Sequence, residues 1–395
     1  MNDMLLISLT ITSGILVIYH HLGYPLILRL VQRLRLKHEI EPSYRHYTES
    51  SSDRHLPTVA IIIPAYNEEK WIAEKIRNLA VLDYPVDQLK VIIACDGCSD
   101  STVSIAQQTA NEVECQHLQI NILDFKTNRG KVAVINDVMQ DVDSELVALS
   151  DVSALVSVDA LLLAAEHFKD AAIGVLNSHY HLLNPGSAGE TAYWNYQNRI
   201  KSCEAALGST LGAHGAFYLF RRSLFQPLAA DTINDDFILP MKIVAAGFRA
   251  NHENRINALE LEQASDTMDH KRRRRIAAGN CQQLFRLKQL LLPVHGGVCF
   301  AFISGKGLRV LMPFLMITAL VGSLLLSGNY LLFALLAVLQ SLVYLLAVWQ
   351  ILLRPKRANK LSKTVAYLVG GHFAGMIGTL RYLCGLERGR WTRVD

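Results

Sequence analysis

The chain has 395 residues, of which 51% are hydrophobic and only 19% charged, against about a quarter charged in an average globular protein. That deficit excludes a disordered or fibrous chain and argues against a wholly soluble one. The net charge of +4, from 39 basic and 35 acidic residues, is too mild for a nucleic-acid partner. The basic residues gather beside apolar segments, Arg29, Arg33, Arg35 and Lys37 early and Arg354, Lys356 and Arg357 late, as at the cytoplasmic ends of membrane helices. The expectation is a multi-pass cell-membrane protein, in bacteria of the inner membrane, with its polar part in the cytoplasm. Seven cysteines include one C-x-x-C pair, Cys95 and Cys98. No second pair follows at zinc-finger spacing, so they read as free thiols in a reducing compartment.

In chain order, residues 4–30 are almost continuously apolar, interrupted by His20, His21 and Gly23-Tyr24-Pro25, and exceed the ~20 residues that cross a bilayer. Asp3 and the length argue for a retained anchor (1–37), kinked at the proline, rather than a cleaved signal. Residues 38–56 are polar and Ser-rich, a linker. From 57 to 295 the pattern alternates. Apolar runs at 58–64, 89–96, 118–125 and 145–151 read as strands, and helical spacing at 68–82, 101–111 and 131–140 separates them. That order predicts an α/β domain, Rossmann-like, with a doubly wound, mostly parallel sheet. Its ligand would lie beyond the carboxyl ends of the strands, where Pro64, Asp96 and Asp151 fall. The remainder, 296–395, is a membrane region. Apolar spans at 308–326 and 330–353 form a tight hairpin, and a weaker segment at 364–386 reads as an interfacial or re-entrant helix ahead of a full crossing.

Five polar blocks could carry chemistry. PAYNEE (64–69) ends a strand and offers Asn67 and Glu68 either as a helix cap or as part of a ligand pocket. CDGCSDST (95–102) places Asp96 where it can accept from a base or ribose, while Asp100 and Ser101 serve equally as a cap. In SDVSA (150–154), Asp151 stands where a carboxylate can hold a divalent ion on a diphosphate. TINDDF (232–237) pairs Asp235 with Asp236 before an apolar helix, either a solvated N-terminus or a base for a hydroxyl proton. HKRRRRIAAGN (270–280) is a membrane-surface patch or a diphosphate clamp.

Taken together with GAHGAFYLFRR (212–222), the order of these blocks resembles an inverting family-two glycosyltransferase of the membrane-embedded branch that includes cellulose, chitin, hyaluronan and poly-N-acetylglucosamine synthases. The resemblance covers about residues 55–310. It implies a GT-A-type domain with transmembrane or interfacial helices at both ends. Pro64, Ala65, Tyr66, Glu68, Asp96 (on uracil), Lys131, Arg272 and Arg275 would bind the donor. Asp151 would also hold Mg²⁺ or Mn²⁺ as the first acid of the family's D-x-D. Asp236, beside Asp235, would be the catalytic base, and Gly212, His214 and Gly215 would lie on the acceptor side. Ser153, Arg272 and Ile276 stand where the second D-x-D acid, the glutamine and the tryptophan of Q-x-x-R-W would be; the last puts processive polymerisation in doubt. The implied function is transfer from a nucleotide sugar, UDP-linked, to a growing polysaccharide at the membrane. The alternatives are a single addition to a lipid-linked or polyprenyl-phosphate acceptor, and an inactive membrane scaffold of an export complex. Export partners or a homo-oligomer would be needed for a channel.

Overall fold

The computed structural model describes residues 3–34, 44–186, 188–263, 266–353 and 359–387. Arg35 and Lys37, part of the linker, the basic loop at 354–358 and the tail from 388 lie outside the described residues.

Eight strands form one sheet: β1 (Val59–Ala65), β2 (Leu89–Asp96), β3 (Gln119–Phe125), β4 (Leu146–Ser150), β5 (Ala154–Val156), β6 (Ile173–Leu182), β7 (Phe217–Arg221) and β8 (Arg249–Glu260). Their order is β3-β2-β1-β4-β7-β6-β8-β5. The first four are parallel, with Ile61 level with Val91 on one side and Ala148 on the other. β7 runs antiparallel to β4 and β6, β8 parallel to β6, and β5 antiparallel to β8. The four anticipated strands are all present, and the sheet is parallel in that half and mixed in the other.

Both faces of the central strands are covered. Val59, Ile61 and Ile63 point into one apolar layer with α3 (Ile72–Ala80), α4 (Thr102–Ala110) and α6 (Ala160–Phe168). Ala60 and Ile62 point into the other, with α5 (Lys131–Val138) and α8 (Asp235–Ala245). Burial on both sides is why these strands read as continuous β-branched runs rather than alternating ones. α7 (Ala188–Ala205) and α9 (Asp266–Arg286) complete the domain.

Three helical segments are long and apolar enough to cross a membrane: residues Asp3–Leu34, Gly297–Leu326 and Leu331–Leu353. The first joins α1 (Asp3–Ile18) to α2 (Tyr24–Leu34) through a π-helical turn, Tyr19–Gly23. Pro25 has no amide hydrogen and its ring crowds the preceding turn, so the helix widens just before it. The second joins α10 (Gly297–Ala301) to α11 (Leu308–Leu326) through another π turn, Phe302–Gly307, and α12 (Leu331–Leu353) closes the hairpin. The final helix, α13 (Lys360–Leu383), is not among the three and lies against α9, α11 and α12.

Candidate active site

The carboxyl ends of β1 and β4, the start of α8 and the middle of α9 enclose a cavity of about 640 Å³. Asp151 follows β4, and its amide donates to the Ala216 carbonyl at 3.2 Å. The strand end beneath it is held from inside by Lys75, a fully buried α3 side chain. Its ammonium donates to Ser150 Oγ at 2.7 Å and to the Ala154 carbonyl, and burial brings its pKa down to about 7. Ser150 Oγ in turn donates to Ala216 at 2.8 Å. On the other side, a Cβ at Gly215 would stand 3.1 Å from Asp151 Oδ2, so glycine leaves the carboxylate its room.

Lys131, the first residue of α5, donates to Asp151 Oδ1 at 2.8 Å and lies 3.7 Å from Asp235 Oδ2. Burial pulls the Lys131 pKa down, but the two carboxylates outweigh it and hold the ammonium charged above the usual lysine range. The same partner lowers Asp151 against the opposing effect of burial. The loop carrying the acid pair is fixed by α9: Gln282 Oε1 accepts from the Ile233 amide at 3.0 Å, Gln282 Nε2 donates to Asp231 O at 2.9 Å, and Asn234 donates to Ile276 O at 3.3 Å. Gly279 lets α9 come this close, since a Cβ there would meet Asn234 Nδ2 at 2.2 Å.

Asp236 differs from its neighbours. Its carboxylate lines the cavity and has no hydrogen-bond or ion-pair partner among the described residues. Burial first, then the charge of Asp235, push its pKa up to about 6. A carboxylate poised near neutrality beside an open cavity is what a general base needs.

α9 divides the arginine run by helical spacing. Arg272 and Arg275, three apart and so on one face, line the cavity. Arg273 lies over the Tyr367 ring at 4.0 Å, while Arg274 reaches the cavity as well and lies 4.0 Å from Glu387 on its wall. Arg275 has no ion pair among the described residues. His214 stacks on Tyr180 with ring centroids 3.8 Å apart and meets Trp194 edge-on at 4.9 Å, while Arg272 stands 5.7 Å over Trp194. Burial and the Arg272 charge bring the His214 pKa down to about 3, so the ring is neutral, its Nδ1 accepting from the Ala216 amide at 3.1 Å.

The cavity brings together Pro64, Tyr66, Glu68, Lys131, Asp151, His214, Gly215, Asp235, Asp236, Arg272 and Arg275. Three of the anticipated residues stand back from it. Asp96 is fully buried and accepts from the amides of Arg129 at 3.0 Å and Gly130 at 2.7 Å, pinning the loop that delivers Lys131. Ala65 is buried at the end of β1. Gly212 (φ +68°) is required because a Cβ would strike the Phe237 ring at 2.2 Å. Trp194 and Lys201, which fall in the stretch 193–222 whose resemblance is to the family's acceptor-side region, were not singled out, and sequence reasoning missed Tyr180 and also Lys306 and Arg309, which reach the cavity from the turn before α11 and its first residues. Those last two are the only charges in residues 297–326, a signal that was available.

Residues 57–276, more than half of the chain, match the family model "Glycosyltransferase like family 2". The chain belongs to glycosyltransferase family 2. Among curated relatives it is 28% identical over 206 residues to a beta-monoglucosyldiacylglycerol synthase of Trichormus variabilis, covering 50% of this chain and 43% of that protein. It is 24% identical, again over 206 residues, to a poly-beta-1,6-N-acetyl-D-glucosamine synthase of Staphylococcus aureus, covering 50% of this chain and 48% of that one. The match thus spans about half the length of these family-2 relatives. The solved structure of the mannosyltransferase PcManGT from Pyrobaculum calidifontis, in complex with GDP-Man and Mn²⁺, has the same fold, with a TM-score of 0.70 over 96% of this chain and 100% of that one at 21% identity.

Among the described residues no three His, Cys, Asp or Glu side chains converge as a ready-made metal site. Asp151 fits a divalent ion shared with a substrate diphosphate, a mode that takes only one or two carboxylates: its Oδ1 is engaged by Lys131, while its Oδ2 has no hydrogen-bond partner among the described residues.

Proposed function

We propose that this chain is an inverting glycosyltransferase that moves a sugar from a nucleotide-diphosphate donor to a hydroxyl acceptor at the cytoplasmic face of the membrane. The observation that carries the reading is Asp236: an unpartnered carboxylate, its pKa raised to about 6, facing the cavity beside the Lys131–Asp151 pair.

Pro64, Tyr66 and Glu68, at the end of β1, take the nucleotide, and Lys131, Arg272 and Arg275 converge on its diphosphate. Asp236 removes the acceptor proton as the oxygen attacks the anomeric carbon opposite the leaving group, which inverts the configuration. The leaving diphosphate gains charge, and preorganised cations there supply the largest catalytic term. A Mg²⁺ or Mn²⁺ ion held by Asp151 would add Lewis-acid neutralisation of the same charge. UDP-sugars are the first donors to test; the GDP-Man complex of the structural neighbour makes GDP-mannose the next.

Two products are open to this site. Trp194 and Tyr180 offer an aromatic platform for a growing polysaccharide, in place of the tryptophan replaced by Ile276. A single addition to a lipid-linked acceptor is favoured by the cavity's reach to membrane-region residues His20, Tyr24 and Arg309. The test is a screen of UDP-glucose, UDP-N-acetylglucosamine, UDP-galactose, UDP-glucuronate and GDP-mannose on purified protein in nanodiscs with Mg²⁺ or Mn²⁺, following nucleotide release and product length. Release with a long product makes it a polysaccharide synthase, and release with one added sugar a lipid-linked transferase. Nucleotide binding without release from any donor would leave the scaffold.

A further inference from the structure

The cavity continues past Asp236 toward the membrane region, and its far wall is basic for no reason that donor chemistry supplies. α7 contributes Lys201 and Glu204 to it, and the start of α11 with the turn before it contributes Lys306 and Arg309. Glu204 is occupied: its Oε1 accepts from Tyr24 at 2.9 Å and its Oε2 from the Leu211 amide at 3.1 Å. Lys201 is occupied too, donating to the carbonyls of Leu211 at 3.2 Å and Gly212 at 2.8 Å. Lys306 and Arg309 have neither a hydrogen bond nor an ion pair among the described residues; Lys306 lies only over the ring of Phe237, 4.5 Å from its centre. Phe237 directly follows Asp236 in α8, so Lys306 packs on the first turn of the helix that carries the candidate base.

This wall is built rather than incidental. The two π-helical turns meet there: Tyr19 and Ser304 share a hydroxyl hydrogen bond at 2.8 Å, and His20 Nδ1 lies 2.8 Å from the Ser304 carbonyl. A Cβ at Gly305 would be 2.9 Å from the Tyr24 hydroxyl, so glycine is what lets the two segments close. π turns re-aim the residues that follow them and gather at functional sites; here they turn Lys306 and Arg309 inward. Cations that merely anchor a helix end to headgroups would face lipid. Unpaired cations in the apolar part of a chain mark a place where an anion arrives.

We infer that the acceptor is an alcohol on a lipid whose phosphate-bearing headgroup sits on Lys306 and Arg309, with its hydroxyl toward Asp236 and its tail leaving the cavity on the side of the apolar helices. The inference rests on the transferase reading above and names its acceptor. A phosphate oxygen as nucleophile would need no base, whereas a headgroup alcohol does, which reconciles the cations with the raised Asp236. A phospholipid headgroup and a polyprenyl-diphosphate sugar share this chemistry.

The test is lipid binding by the full chain in neutral detergent, read by native mass spectrometry, with phosphatidylglycerol, undecaprenyl-diphosphate-N-acetylglucosamine and neutral diacylglycerol as probes. UDP and GDP affinities are measured in parallel. Lys306→Gln and Arg309→Gln should each weaken a phosphate-bearing lipid about tenfold or more, the loss of one charge-assisted hydrogen bond, with diacylglycerol and nucleotide affinities unchanged. Lys306→Arg should restore binding, which separates loss of charge from loss of fold. The phosphate lipid that binds tighter identifies the source. No loss, an equal loss for diacylglycerol, or a wild-type preference for diacylglycerol would overturn the inference. A wild-type chain that binds neither nucleotide would instead overturn the transferase reading beneath it.

Discussion

Replacing Asp236 with asparagine should make the protein more stable while disabling it. Folding moves this carboxyl from 3.8 to about 6, burial being the larger cause and the Asp235 charge the next. A carboxyl raised in this way supports the native state in its protonated form; its ionisation opposes folding as pH climbs through 3.8 to 6, and fully above that. The displacement corresponds to about 3 kcal/mol, which cavity water reduces to on the order of 2 kcal/mol. Asparagine keeps the shape and removes the charge, so near pH 8 the variant should melt a few degrees higher, and near pH 5 the gain should shrink to roughly half. Differential scanning fluorimetry in neutral detergent at the two pH values reads this directly. A variant that melts at or below the wild type at both, or a gain that ignores pH, would refute the picture of a carboxylate held against its preference.

Other perturbations bear on the remaining parts of the site. Chelating divalent ions with EDTA should stop donor turnover, because Asp151 is the one carboxylate proposed to share an ion with the diphosphate; full activity in EDTA would leave charge neutralisation to Lys131, Arg272 and Arg275. Arg275→Ala should lower turnover at least ~100-fold, as for a lost oxyanion donor, and a near-wild-type rate would return this arginine to the membrane surface. Gly212→Ala should destabilise the fold by on the order of 2–3 kcal/mol, since it combines a left-handed backbone with a clash on Phe237; an unchanged melting temperature would show that α8 can yield.

The legible half of the sheet was legible for a physical reason. Strands expected at 58–64, 89–96, 118–125 and 145–151 are β1 to β4, whose parallel pairing and two covered faces (only partly covered for β3, at the edge) leave apolar runs in the sequence. β6 and β8 carry Asn177, His179 and Asn257, polar residues whose partners are distant in sequence, as Asn177 finds Thr210 at 2.7 Å. No local pattern announces such a strand. Among site residues, those at strand ends and helix starts were readable because polar groups there interrupt apolar runs. Lys201 was not, and Lys306 and Arg309 stood out only as the lone charges of residues 297–326; that all three face one cavity follows from the meeting of two π turns and α7, which no local pattern encodes. The three long apolar helical segments were readable from length and composition alone, but the widened turn at Tyr19–Gly23 was visible only as a kink at Pro25.

The most direct test of the central claim is acceptor-dependent nucleotide release by the wild type and Asp236→Asn, compared at equal occupancy by nucleotide. The account predicts that the variant loses at least ~100-fold in rate, the usual contribution of a general base, while its nucleotide affinity stays within a few-fold and the wild-type rate falls as pH drops through about 6. Retained turnover in the variant would remove Asp236 as the base and contradict the account.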